Sequence, residues 1–258
     1  MSSKKPTILA LCAHPDDAEI KCGGTLILLA KSGWDVHIAT LSAGDCGSAE
    51  EMPNKIAAQR RSEAQASAAM IGGTYHCLGG TDLQVFDDGV MRAAGVTIVR
   101  EVRPDVIITH YPIDYMPDHE AASKIARMAS FTASIANYVT GPAAAVPATD
   151  AIPALYYFTP LGGEDYFGNP IVPQVYIDVT SVADVKAEAL GLHTSQREWL
   201  RRQHGMDQYI EDMRNHDADQ GRECGATFAE GFIMHKGHAY PRTPIIENAL
   251  PNFARGRK

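Results

Sequence analysis

The chain has 258 residues, 45% of them hydrophobic and 21% charged, a composition that fits an ordinary globular protein with enough length to bury a core. Its 23 Lys and Arg against 31 Asp and Glu give a formal charge of −8, which argues against a nucleic-acid partner, because a surface that tracks phosphates needs a basic surplus. No apolar run approaches the roughly 18 residues of a membrane span, no signal peptide is expected from the short charged start Met1–Pro6, and five cysteines without a C-x-x-C pair point to free thiols in a reducing cytoplasm.

The first run, Thr7–Ala13, is apolar almost throughout and predicts a strand covered on both faces. Gly23–Lys31 reads as a helix stopped by Gly33, and Val36–Ser42 as the second strand. Asn54–Met70 predicts an alanine-rich helix ended by Gly72-Gly73, and Thr74–Leu78 a third strand. A helix near Val90–Val102 follows; Pro104 then restarts the chain into a fourth strand, Asp105–His110. This alternation predicts an α/β protein with a Rossmann-like, doubly wound, mostly parallel sheet and helices on both faces. Beyond an Ala/Pro-rich connection, Pro142–Pro153, strands are expected at Ala154–Phe158 and Gln174–Val179. One long helix is predicted over Val182–His204, because Val182, Val185, Leu190, His193, Trp199 and Leu200 fall near one face. Gly205–Lys258 is polar and punctuated by Gly and Pro, and reads as a C-terminal arm wrapping the domain or a neighbouring copy in a homo-oligomer. The whole chain, 1–258, is read as one domain, with 1–150 as its core half and 151–258 adding strands, helix and arm.

In a doubly wound sheet, ligands sit beyond the carboxyl ends of the strands where the strand order reverses. With an order beginning 3-2-1-4, that point lies between strands 1 and 4. His14-Pro-Asp16-Asp17 follows strand 1, and the segment from His110 through Asp114, Met116 and Asp118 to His119 follows strand 4. Pro15 fixes a turn that lets His14 and Asp17 reach one cation; His119 from the opposite loop completes a His-Asp-His set with an open position, the arrangement of catalytic Zn²⁺. Asp16, on the other side of the turn, is the candidate general base. Each cluster alone also reads as a turn with an N-capping Asp, Asp16 or Asp17 in the first and Asp118 in the second; their joint position favours the metal. His37 and His76 are assigned to strands, and His204, His216, His235 and His238 to exposed polar chain. Neither a G-x-G-x-x-G fingerprint nor a G-x-S-x-G elbow is present.

Ala13-His-Pro-Asp-Asp-Ala-Glu19 with Gly23-Gly24-Thr25, then Pro117-Asp-His119, resembles the PIG-L/LmbE family of zinc-dependent N-deacetylases acting on N-acetylglucosamine conjugates and related amides. Leu41-Ser-Ala-Gly44, Arg60 with Glu63-Ala64, Asp82, His193-x-Ser195-Gln196 and Ala229-Glu230-Gly-Phe232 echo further family positions. The resemblance implies zinc on His14, Asp17 and His119, and Asp16 as base. It also implies that Arg60 reaches the substrate and that Asp82 contacts a sugar hydroxyl, beside the plainer readings of a solvated helix Arg and a turn-forming Asp. One position departs: Met116 stands where many members have the histidine thought to stabilise the oxyanion, and a thioether donates no hydrogen bond. Either zinc alone polarises the carbonyl, or His110 or His193 substitutes; the plainer reading of His193 is a partly buried helix residue bonded to backbone.

The leading expectation is a zinc hydrolase removing an acyl group, acetyl first, from an amino sugar or similar small polar N-acylated molecule. The alternative is a hydratase that uses the same metal and base to add water to an unsaturated organic acid, and Met116 keeps it open. A non-enzymatic metal-binding scaffold is disfavoured by the intact His14, Asp16, Asp17 and His119.

Overall fold

The computed structural model describes residues 4–141, 146–204 and 208–258, the side chains of 203 and 204 excepted. The first stretch runs β1 (Thr7–Cys12), α1 (Asp17–Lys31), β2 (Asp35–Ser42), α2 (Pro53–Ile71), β3 (Gly73–Gly80), α3 (Gly89–Val102), β4 (Val106–Thr109) and α4 (Pro117–Thr132). The rest adds β5 (Ala154–Phe158), β6 (Val175–Asp178), α5 (Ala183–Gly191), α6 (Thr194–His204), α7 (Tyr209–Cys224), β7 (Ala229–Met234), α8 (Ile245–Ala249) and β8 (Ala254–Arg255). They build one eight-stranded sheet of order β3-β2-β1-β4-β5-β7-β6-β8. The strands β3 to β5 are parallel, as the βαβ pattern predicts, and β7, β6 and β8 join antiparallel.

The near-continuous apolar character of β1 follows from burial on both faces. Ile8, Ala10 and Cys12 face Leu26 and Leu29 of α1 and Ala68 and Ile71 of α2. Leu9, Leu11 and Ala13 face Val96 and Val99 of α3 and Ile125 and Ala129 of α4. Among the described residues no helix is long and apolar enough to cross a membrane.

Three expectations are corrected. Helix α1 begins at Asp17, not Gly23, because Asp17, Glu19 and Lys21 are buried charges inside the helix. The single helix expected over Val182–His204 is a 3-10 turn at Thr180–Val182 followed by α5 and α6, with Leu192 and His193 between the two helices. Glu63 of α2 imposes that break. Its carboxylate accepts from Thr194 Oγ1 (2.7 Å), Ser195 N (3.0 Å) and Ser195 Oγ (2.6 Å) and so caps α6 from outside. The segment read as an arm contains α7 and β7, and β7 lies inside the sheet between β5 and β6. The buried stripe of α7 is Tyr209, Met213, His216, Asp217, Gly221 and Cys224, half of it polar or glycine, so its periodicity is weak in hydrophobicity. His216 is thereby buried, where exposure was expected; His235 is partly buried, 3.0 Å from the Tyr157 hydroxyl. Residues 142–145 of the Ala/Pro connection, 205–207 of the expected arm and the His204 side chain lie outside the described residues.

Glu230 of β7 ties this added layer to α1. Its two oxygens accept from the backbone N–H of Gly24 and Thr25, both at 2.7 Å. Lys186 of α5 lies 2.8 Å from the same carboxylate and 2.6 Å from Asp217 of α7, all three groups buried. At this approach Gly24 has no room for a side chain: a Cβ would stand 2.6 Å from Val179 Cγ1 and 3.1 Å from Glu230 Oε1. Gly24→Ala is therefore expected to cost about 1–3 kcal/mol, the range for overpacked interiors, a fall of roughly 2–4 °C in melting temperature per kcal/mol. Gly23→Ala, whose Cβ meets only Lys186 Cγ at 3.4 Å and Ala18 O and Lys186 Cε beyond, is expected to melt at or above wild type. Equal melting of the two variants would contradict this account of the glycine pair.

Candidate metal centre and cavity

The site forms at the carboxyl ends of β1 and β4, adjacent parallel strands where the order reverses. After β1 the chain turns at once. The His14 N–H donates to Asp17 Oδ2 (2.8 Å), closing the turn around Pro15, and Asp16 is held at φ 92° in the left-handed region. After β4 the chain loops to α4, whose first residue is Pro117, a favoured helix start. His119 is thereby placed in the first turn of α4, facing the β1 loop.

His14, Asp17 and His119 each offer a donor atom, and all three lie within 4.8 Å of one another, all buried. His14 Nδ1 is 3.6 Å from Asp17 Oδ2, and His119 Nε2 is 3.4 Å from Asp17 Oδ1. The other imidazole nitrogens are backed by carboxylates. His14 Nε2 lies 3.0 Å from Asp82 Oδ1 and 3.1 Å from Asp118 Oδ2, and His119 Nδ1 lies 2.9 Å from Asp114 Oδ1. Metal-ligating histidines are held in this way, one nitrogen inward and the other on an outer carboxylate, so the donor set fits a divalent cation of the zinc type.

The electrostatics follow from the same contacts. Burial works to raise the Asp17 pKa, but His119 and His110 hold it well below the usual carboxylate range. Burial works to lower His14 and His119; the carboxylates outweigh it, lifting His14 well above an ordinary imidazole and His119 to about 9. Asp16 moves the opposite way from Asp17: burial raises it, Arg60 opposes, and the neighbouring Asp17 adds to the rise.

A cavity of about 750 Å³ opens over these groups, lined by His14, Asp16, Asp17 and His119. Arg60, Asp82 and Tyr209 also reach it, and Leu83, Tyr115, Met116, Leu161 and Trp199 give it an apolar side. Arg60 is 4% exposed and donates to Gly44 O (3.2 Å) and Pro15 O (2.9 Å), clamping the loops after β1 and β2 together. Gly44 is required there, since a Cβ would lie on the guanidinium. The solvated-helix reading of Arg60 is thus overturned by its burial. Asp82 spends one oxygen on His14 and the other on the Cys46 N–H (3.2 Å), so it orients a donor imidazole more directly than it meets a substrate.

The two histidines offered as replacements for the missing oxyanion donor do not line the cavity. His110 is fully buried behind His119, its ring stacked on that of His119 with centroids 4.0 Å apart. Burial and then His119 push its pKa down to about 4, keeping it neutral. His193 is fully buried between α5 and α6, with Nε2 3.3 Å from Glu19 Oε1, whose carboxylate also accepts from Ser67 (2.6 Å). Each was a candidate to reach the substrate in place of Met116, and both are walled off from the cavity by the groups they support. Sequence reasoning also missed Tyr209, whose hydroxyl meets Asp16, and the backing role of Asp114; a carboxylate five residues before His119 was the available signal for Asp114, and none existed for Tyr209.

Residues 9–130 match the family described as PIG-L: GlcNAc-PI de-N-acetylase. Over 96% of its length the chain is 26% identical to a 4-oxalmesaconate hydratase of Pseudomonas putida KT2440, covering 94% of that protein. It is 28% identical to a diacetylchitobiose deacetylase of Thermococcus kodakarensis over 73% of the chain and 69% of the relative. The N,N'-diacetylchitobiose deacetylase of Pyrococcus horikoshii has the same fold, with a TM-score of 0.75 at 22% identity over 94% of this chain and 89% of that one. The stretch that carries His14, Asp16, Asp17, Arg60, Asp82 and His119 accordingly matches the PIG-L family, in a chain that shares the fold of these relatives.

Proposed function

We propose that this protein is a metal-dependent N-deacylase that removes an acetyl or similar acyl group from the nitrogen of an amino sugar or another small polar amide. The observation that carries the reading is the meeting of His14, Asp17 and His119, each imidazole backed by carboxylate, in a cavity that also holds Asp16. In this reading His14, Asp17 and His119 hold one zinc ion, and the deacetylase relatives support the reaction class. Such an ion, when bound, supplies Lewis acidity that brings the pKa of water to about 7 and polarises a carbonyl. Asp16 takes the proton of the attacking water and delivers it to the departing nitrogen. Its burial, which raises its pKa, strengthens it as a base near neutral pH. Arg60, Asp82, Asp114 and Asp118 keep these groups in register. The five free cysteines support a cytoplasmic site of action.

Met116 favours a second reading. It lines the cavity and donates no hydrogen bond, and neither His110 nor His193 lines the cavity in its place. A site so built also suits addition of water to the double bond of an unsaturated organic acid, and one relative is a hydratase.

Zinc-loaded protein is expected to hold about one ion per chain, and His14→Ala or His119→Ala to lose most of it. Asp16→Asn is expected to keep the metal while turnover falls by roughly 10²-fold or more. Full zinc by elemental analysis in the histidine variants, or near-normal turnover in metal-replete Asp16→Asn, would overturn these roles.

Asp114→Ala is expected to weaken zinc affinity by about 10–100-fold, the usual effect of removing an outer carboxylate, and unchanged affinity by competition with a chromophoric chelator would contradict its backing role. Met116→His separates the two readings. On N-acetylated sugars it is expected to raise the rate of free-amine release; loss of the native reaction with no gain in deacetylation would instead favour hydration.

A further inference from the structure

Aspartate at a helix N-cap ordinarily turns its carboxylate onto the free N–H groups of the first turn. Asp16 occupies the N-cap of α1 and makes no such bond, and it does so at φ 92°, a backbone region that a non-glycine residue enters only under constraint. Its carboxylate is also buried. A local turn does not explain this combination, so the side chain is held from elsewhere. Two groups are seen to reach it among the described residues. Arg60 Nη2 is 3.5 Å from Oδ2, but that guanidinium is already committed to Pro15 O and Gly44 O. The Tyr209 hydroxyl donates to the same Oδ2 at 2.5 Å.

Tyr209 is the first residue of α7, far from Asp16 in sequence, and its ring packs with Ala187, Leu190 and Met213. Burial and the adjacent Asp16 carboxylate push the phenol well above its ordinary pKa, so the hydroxyl stays a donor. It lines the same cavity as Asp16. We propose that Tyr209 is a positioning residue for Asp16: by holding Oδ2 it keeps the carboxylate off the helix N-terminus and leaves Oδ1 as the oxygen that accepts the proton. The inference rests on Asp16 as the base and applies equally to hydrolysis and to hydration.

Tyr209→Phe removes the hydroxyl and keeps the packed ring. In zinc-loaded protein the variant is expected to lose at least tenfold in kcat with KM within twofold of wild type and metal content unchanged, a split that a general packing fault would not give. A wild-type kcat would overturn the proposal. A second arm needs no turnover. Urea midpoints are compared for Tyr209→Phe, Asp16→Ala and the double variant; shifts that do not add support the contact, and additive shifts overturn it. A wild type that releases no amine from any amide would refute the deacylase reading, while the urea arm would still decide the Tyr209–Asp16 pair.

Discussion

The organisation of this protein depends on a concentration of buried negative charge where β1 and β4 end. Asp16, Asp17, Asp82, Asp114 and Asp118 are all buried around the imidazoles of His14 and His119. Carboxylates withdrawn from water are costly unless each meets a cation or a donor. With both imidazoles protonated and Arg60 counted, three positive charges face five negative ones. A divalent cation on His14, Asp17 and His119 would displace the inward imidazole protons, since a ligating imidazole is neutral, and would set its own two charges among these acids. The opposite pKa directions of Asp16 and Asp17 follow from the same geometry: burial raises both, but Asp17 faces two imidazoles, while Asp16 faces a phenol and a guanidinium already committed to backbone carbonyls.

Around that centre other acids, Glu19 and Glu230 buried and Glu63 half-buried, do structural work between helices. Glu19 joins α1 to Ser67 of α2 and to His193; Glu63 caps α6; Glu230 fastens β7 to α1 and, through Lys186, to α5. Several residues that resemble family signature positions are therefore clasps for the walls of the cavity. His193 and Ser195 hold α6, and α6 brings Gln196, Trp199 and Leu200 to the cavity. The relatives' names divide between deacetylase and hydratase, and one physical frame accommodates both: a cation, an adjacent base and a shaped cavity, with the electrophile's surroundings deciding which bond reacts.

Much of the parallel half was legible because buried parallel strands read as uninterrupted apolar runs. Thr7–Ala13 and Asp105–His110 show this, and their order located the site through His14-Pro-Asp16-Asp17 and Pro117-Asp-His119. In the antiparallel half only β6 was legible, expected at Gln174–Val179 and found at Val175–Asp178. The inner stripe of α7 includes His216 and Asp217, whose burial depends on partners in distant elements, and β7 is a short strand that begins with Ala229 and Glu230. The break between α5 and α6 was invisible because Glu63, over a hundred residues earlier, makes it. The directions of His110 and His193 were equally out of reach, since adjacency in sequence says nothing about which neighbour a ring faces. Asp16 was singled out from its place in the turn after β1, yet its partner Tyr209 lay in chain that reads as polar arm.

The charge argument is tested most directly by the melting temperature of metal-stripped protein as zinc is added. A cation that completes the buried cluster binds the folded chain alone, so stability should rise with free zinc, by about 2.7 kcal/mol at a hundredfold excess over the dissociation constant. The account predicts a melting temperature that climbs with zinc in the wild type and stays flat in His119→Ala. A wild-type melting temperature indifferent to zinc, or an equal rise in both proteins, would contradict it.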